Sequence, residues 1–67
     1  MRKDILQIYC DGGARGNPGP SAAAFVVIKG KTLHFKKTQY LGKKTNNEAE
    51  YIAVIMAFKW LKDNLDF

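Results

Sequence analysis

The stretch DGGARGNPGP, residues 11–20, sets four glycines and two prolines behind an acid, directly after the apolar run ILQIYC. Two kinds of chemistry suit such a stretch. A glycine-rich loop cradles phosphate when it leads into a helix whose first amides meet the anion. Here the loop leads into AAAFVVI and lacks the GxxxxGK[ST] order, so a hairpin connection between antiparallel strands is the better account. Asn17-Pro18-Gly19 is the expected turn, with proline presetting φ and glycine taking the position where φ is positive. That leaves Asp11 at the end of the first strand. Taken alone it reads as a turn-opening acid that bonds backbone amides, and Glu50 reads as an acid complementing a helix dipole.

The elements that position these acids follow from periodicity. Residues 5–10 alternate Leu6, Ile8 and Cys10 on one face with Ile5, Gln7 and Tyr9 on the other, mostly apolar on both, which predicts an interior strand. SAAAFVVIKG predicts a second strand and KTLHFKKTQY a third, with Leu33 and Phe35 pointing the same way and a short hairpin centred on Gly30. TNNEAEYIAVIMAFKWLKDNL changes to helical period, and Thr45 followed by Glu48 has the form of a capping box. The order is thus β-β-β-α, an α+β pattern. Residues 51–58, YIAVIMAF, are apolar in every direction around the helix axis, whereas a surface helix of a small domain shows a polar face. Three strands cover one side only, so more protein or a second chain is expected to cover the rest.

The chain has 67 residues, enough for one domain that buries only about 60% of the surface its unfolded form exposes. One cysteine, Cys10, excludes a disulfide within the chain, and no His/Cys cluster offers structural zinc. A reduced, cytoplasmic setting is expected. No leader-like segment opens the sequence, and no apolar run approaches the ~18 residues of a membrane span. The net charge is +5. Between Gly12 and Asn47 lie seven bases (Arg15, Lys29, Lys31, Lys36, Lys37, Lys43 and Lys44) and no acid, while the remainder carries four bases and six acids. Such a segregated block suits nucleic acid, an anionic surface or water.

An acid ending a strand, a glycine-proline hairpin, an acid-free basic stretch and then TNNEAE opening a helix together resemble the type 1 ribonuclease H family. The matching residues are DGGARGNPGP and TNNEAEYIAVIMAFKWL, and the resemblance runs over nearly the whole chain. It implies a ribonuclease H-like fold of which this chain, residues 1–67, is a single incomplete domain: three antiparallel strands and the first long helix. It implies hydrolysis of the RNA strand of RNA/DNA hybrids with two Mg²⁺ ions, Mn²⁺ being a possible substitute. Asp11 and Glu50 match the catalytic acids, with Asp11, Glu50 and Gly12 at the metals. Gly12, Asn17, Asn46 and Asn47 match contacts to the minor groove and 2′-hydroxyls, and Arg15, Lys43 and Lys44 would meet phosphates. The residue types suit these roles: Mg²⁺ takes hard oxygen ligands, and amides read a 2′-hydroxyl without reading bases. Glu48 and Glu50 lie roughly 200° apart around a helix and do not share one site. The cap argument alone leaves either free to serve, and the family match selects Glu50.

The family's third acid, its later acid and its loop histidine have no counterpart here. His34 falls in the third strand and reads as a sheet-face or solvent-facing residue. Asp63 lies ~20 Å along the helix from Glu50, and neither it nor Asp66 fills the gap. Cys10 reads as an inert strand residue, and Ala49, Ala53, Met56 and Trp60 as a packing stripe. Three functional readings remain: the amino-terminal half of a nuclease completed by a carboxy-terminal half, a hybrid-binding module without catalysis, or a self-associating structural unit.

Overall fold

A computed structural model describes residues 5–64. It contains β1 (Leu6–Ala14), β2 (Gly19–Lys29), β3 (Thr32–Lys44) and α1 (Asn46–Asn64), in that order. Leu65 and Asp66, included in the sequence-based helix and acid inventory, lie outside the described residues. The strands form one antiparallel sheet in the order β1-β2-β3, and α1 packs across one face. The body measures 43 × 23 × 15 Å, so it is two thin layers with little interior.

The alternation of β2 shows where that interior sits. Ser21, Ala23, Phe25 and Val27 are buried toward α1, while Ala22, Ala24, Val26 and Ile28 face the other way. Small residues do the close packing: Ala49, Ala53 and Ala57 of α1 are buried against the sheet. Phe25 and Val27 are the largest fully buried side chains among the described residues, joined by half-buried Leu6, Ile8, Met56 and Trp60. The expected packing stripe of α1 is therefore present, with Ala57 added to it.

Several local expectations are revised. Asp11 does not end β1: the strand continues through Gly12, Gly13 and Ala14, because small residues there pair with Ala23, Ala22 and Ser21. β1 is an edge strand in this sheet, and β2 is the interior one. The β1 face turned away from α1 carries Tyr9, which pairs with Val26 and is exposed. In the β1–β2 turn the positive φ belongs to Gly16 (77°), and Asn17-Pro18 is a cis peptide bond. Gly19 has another role: a Cβ there would strike the Arg15 carbonyl, which the Arg15 N–H to Pro20 carbonyl bond (2.8 Å) draws close.

β3 carries two register shifts, one between Val27 and Ile28 and one between Ser21 and Ala22. The first leaves His34 as an extra residue, so Leu33 pairs with Ile28 and Phe35 with Val27. The bulge therefore parts Leu33 from Phe35, which a strict alternation would place on one face. Phe35 stacks on Trp60 (centroids 5.5 Å apart), and His34 meets Trp60 edge-on at 5.9 Å. The hairpin centred on Gly30 is present, with φ of 63° at Gly30 and a two-residue Gly30-Lys31 loop.

Candidate nucleic-acid and metal site

The two motifs meet where β1 passes under the first turn of α1. Gly12 makes the meeting possible, because a Cβ on it would lie 2.7 Å from the Glu50 amide nitrogen and closer still to the Ala49 carbonyl. No real Cβ occupies such space. The absent side chain lets strand and helix backbones touch, and the touch sets Asp11 and Glu50 on the residues flanking one contact. Both carboxylates are exposed. Pairing places Asp11 opposite Ala24, on the face turned away from α1 and beside the open edge of the sheet.

A hydrogen-bond network fixes the surrounding loop. The Ala14 N–H donates to Asn46 Oδ1 at 2.7 Å, and the Asn46 N–H donates to Asn17 Oδ1 at 3.0 Å. Asn17 and Asn46 thus join the glycine-proline turn to the helix start through their carbonyl oxygens, with their NH₂ groups on an exposed surface. Asn47 follows, exposed on the first turn. Arg15 and Lys43 are exposed and Lys44 is half-buried, all at this end of the sheet.

Ser21 belongs to the same scaffold. Its buried hydroxyl lies 2.7 Å from the Gly19 carbonyl and 3.0 Å from the Lys44 carbonyl, and accepts the Lys44 N–H at 3.2 Å. It ties the turn to the end of β3 where Gly42 adopts φ of 77°. Sequence reasoning missed it, since its one signal was a lone hydroxyl opening an otherwise apolar strand.

The capping box is present. The Thr45 N–H donates to Glu48 Oε1 at 2.9 Å, and the Glu48 N–H donates to Thr45 Oγ1 at 3.1 Å. Glu48 is thereby committed to the cap, leaving Glu50 as the unengaged glutamate. The Thr45 amide holds the Glu48 carboxylate below its ordinary pKa, aided by the Thr45 hydroxyl and the Lys44 charge and opposed by desolvation. Because the folded value is the lower one, the cap's contribution is full above the unfolded carboxylate value and is lost as pH falls through the folded one. Thr45→Ala should cost about 1 kcal/mol, read by thermal unfolding, and most of this deficit should persist in acid, because the lost hydroxyl accepts a backbone N–H. The deficit of Glu48→Ala should instead shrink as pH falls, and an unchanged Glu48→Ala deficit at low pH would mean that the Glu48 carboxylate does not carry the cap.

These carboxylates suit a hard cation in part. Mg²⁺ retains several waters and is commonly held by one or two carboxylates together with substrate phosphates; Asp11 and Glu50 are the exposed carboxylates on either side of the Gly12 contact. Among the described residues no three His, Cys, Asp or Glu side chains cluster, so a complete all-protein cage is absent there.

Known proteins share this sequence pattern and fold. The family model for RNase H matches residues 3–66. A ribonuclease HI of Halobacterium salinarum is 41% identical over 59 residues, covering 87% of this chain and 30% of its own length. A ribonuclease H of Rhodopirellula baltica is 41% identical over 61 residues, covering 87% and 37%. LC11-RNase H1, solved in complex with an RNA/DNA hybrid, superposes with a TM-score of 0.83 at 40% identity, over 94% of this chain and 49% of that one. RNase H1 from Halobacterium salinarum superposes with a TM-score of 0.79 at 39% identity, over 87% and 45%. The chain therefore spans about a third to a half of the length of these relatives.

Proposed function

Because this chain belongs to the ribonuclease H family, we propose that it forms the amino-terminal part of a nuclease that hydrolyses the RNA strand of RNA/DNA hybrids. The observation that carries this reading is the Gly12 contact, where the backbone next to Asp11 meets the backbone of Ala49 and Glu50. The named hybrid complex of LC11-RNase H1 supports the substrate class.

In this reading Asp11, Glu50 and the Gly12 backbone hold the metals, Mg²⁺ with Mn²⁺ as substitute. A bound metal pair supplies an activated water and charge stabilisation for the leaving oxygen. The chain's own residues bind and orient. The NH₂ groups of Asn17 and Asn46, the Asn47 amide, the half-buried Gly12 and the exposed Gly13 backbone face the minor groove and its 2′-hydroxyls, which distinguish RNA from DNA. Arg15, Lys43 and Lys44 take phosphates, a contribution that weakens with salt. Further ligands come from a carboxy-terminal companion seated at the open β1 edge, and we place the assembly in the cytoplasm, where the exposed thiol of Cys10 stays reduced.

A second reading, hybrid binding without catalysis, is favoured by the two-carboxylate set. One experiment separates the two: a labelled RNA/DNA hybrid and the matching DNA duplex, each incubated with the chain alone and with the carboxy-terminal half of a relative, in Mg²⁺. Hybrid-selective cleavage gained on adding the companion is the expected result. Selective binding without cleavage from a folded, associated pair would leave the binding module. Equal, purely salt-driven affinity for both duplexes would overturn both readings.

A further inference from the structure

At the opposite end of α1, about 15 Å along the helix from Glu50, a groove opens between the helix and β3. Phe25, Phe35, Met56 and Trp60 form its floor, and Lys37, Gln39, Lys59, Asp63 and Asn64 its rim. We propose that this groove is a second nucleic-acid site, one that takes a single unpaired base of a DNA or RNA strand with its phosphates on Lys37 and Lys59. This goes beyond the hybrid-cleaving reading and does not depend on Asp11, Glu50 or a metal.

Size, shape and charge point the same way. The cavity holds about 250 Å³, short of the ~300–1,000 Å³ of pockets that enclose whole ligands, so it suits one ring of a longer molecule. Its floor is aromatic and apolar, and base–aromatic stacking tolerates any base because every base has a π-face. Trp60 is only half-buried although Phe35 covers part of it, and the packing stripe thus keeps an open flank. Gln39 has amide donors and acceptors for a base edge. Asn64 spends its NH₂ on the Trp60 carbonyl at 2.8 Å, which leaves its oxygen as an acceptor. Two lysines against Asp63 give the rim a net positive charge, and Lys37 continues the acid-free basic stretch of β3. Alternation turns Lys37 toward α1, opposite buried Phe25, and Lys36 toward the far face, opposite Val26. Neighbouring lysines on one strand thereby serve different surfaces.

The chain contains one tryptophan, Trp60, so its fluorescence reports the groove directly. The experiment titrates the full chain with a short oligothymidylate in the absence of divalent metal, across salt concentrations. Expected are quenching of Trp60 and, for Lys37→Glu or Lys59→Glu, binding weakened with the log–log salt slope reduced by about 0.7 per lysine. Lys36→Glu, with the same charge change on the other face, should retain the quench and the affinity to within about twofold, the scale of a remote charge change screened by salt. Trp60→Phe, read by anisotropy of a labelled strand, should bind within about tenfold of the parent, since a stacking ring remains. Absence of quenching, or equal losses from Lys36→Glu and Lys37→Glu, would overturn the proposal. The groove is read by Trp60 quenching without divalent metal and the nuclease reading by hybrid cleavage in Mg²⁺, so failure of the groove and failure of the nuclease reading are separately visible.

Discussion

Asp11→Asn should lower hybrid cleavage by the completed assembly at least ~10²-fold while leaving its thermal unfolding where it was. The substitution keeps shape and removes charge. Asp11 is exposed on the sheet face away from α1, where its carboxylate packs into no core. In the proposed nuclease its loss falls on cation binding, and metal stabilisation of a reacting phosphate is worth several kcal/mol, at 1.36 kcal/mol for each tenfold in rate. Glu50→Gln should behave similarly from the helix side. Retained cleavage with Asn at position 11 would sink the assignment of this acid, and a large drop in stability would show that Asp11 is structural.

Gly12→Ala should do the opposite, damaging the fold first and cleavage through it. The new methyl would meet the Ala49 carbonyl and the Glu50 amide, both backbone, so no side chain can turn aside. Overpacking a close contact commonly costs about 1–3 kcal/mol, and a clash with helix backbone belongs at the upper end. For a domain of this size such a loss lowers the unfolding midpoint by about 10–20 °C. Gly13→Ala is the control, because its Cβ would meet Asn46 Oδ1 at an ordinary 3.8 Å. Similar midpoints for the two variants would refute the Gly12 contact as the hinge of the site.

What the sequence discloses and what it hides divide by range. The Thr45–Glu48 box is legible because both partners lie within one turn, and the bonds found are those the spacing demands. The Gly30 hairpin is legible for the same reason. The approach of Gly12 to the Ala49–Glu50 backbone is long-range, and only the resemblance to a family joined Asp11 with Glu50. Nothing in composition told Gly12 from Gly13, since what separates them is the backbone of a distant helix. The His34 bulge was hidden too: a bulge adds a residue without altering residue type, and it changes which neighbours share a face. The assignment of β1 as an interior strand does not hold among the described strands, where β2 is interior and β1 an edge: apolarity on both faces reports what covers a strand, not which strands flank it. The apolar run of residues 51–58 leaves one flank of α1 exposed, with Tyr51 at 73% and Phe58 at 65% exposure.

The two edges of this sheet differ in their defences. β3 carries Lys36, Lys37, Lys43 and Lys44 along its length, and lysines on an outer strand discourage pairing with strangers. β1, LQIYCDGGA, has one charge, the Asp11 carboxylate, and presents unpaired backbone groups next to exposed Tyr9. Growth by strand addition is therefore directional: the sheet is guarded on the lysine side and receptive on the acid side. In the proposed assembly, a companion seated there would cap an aggregation template in the same act that completes the site, making solubility and activity two readouts of one docking event.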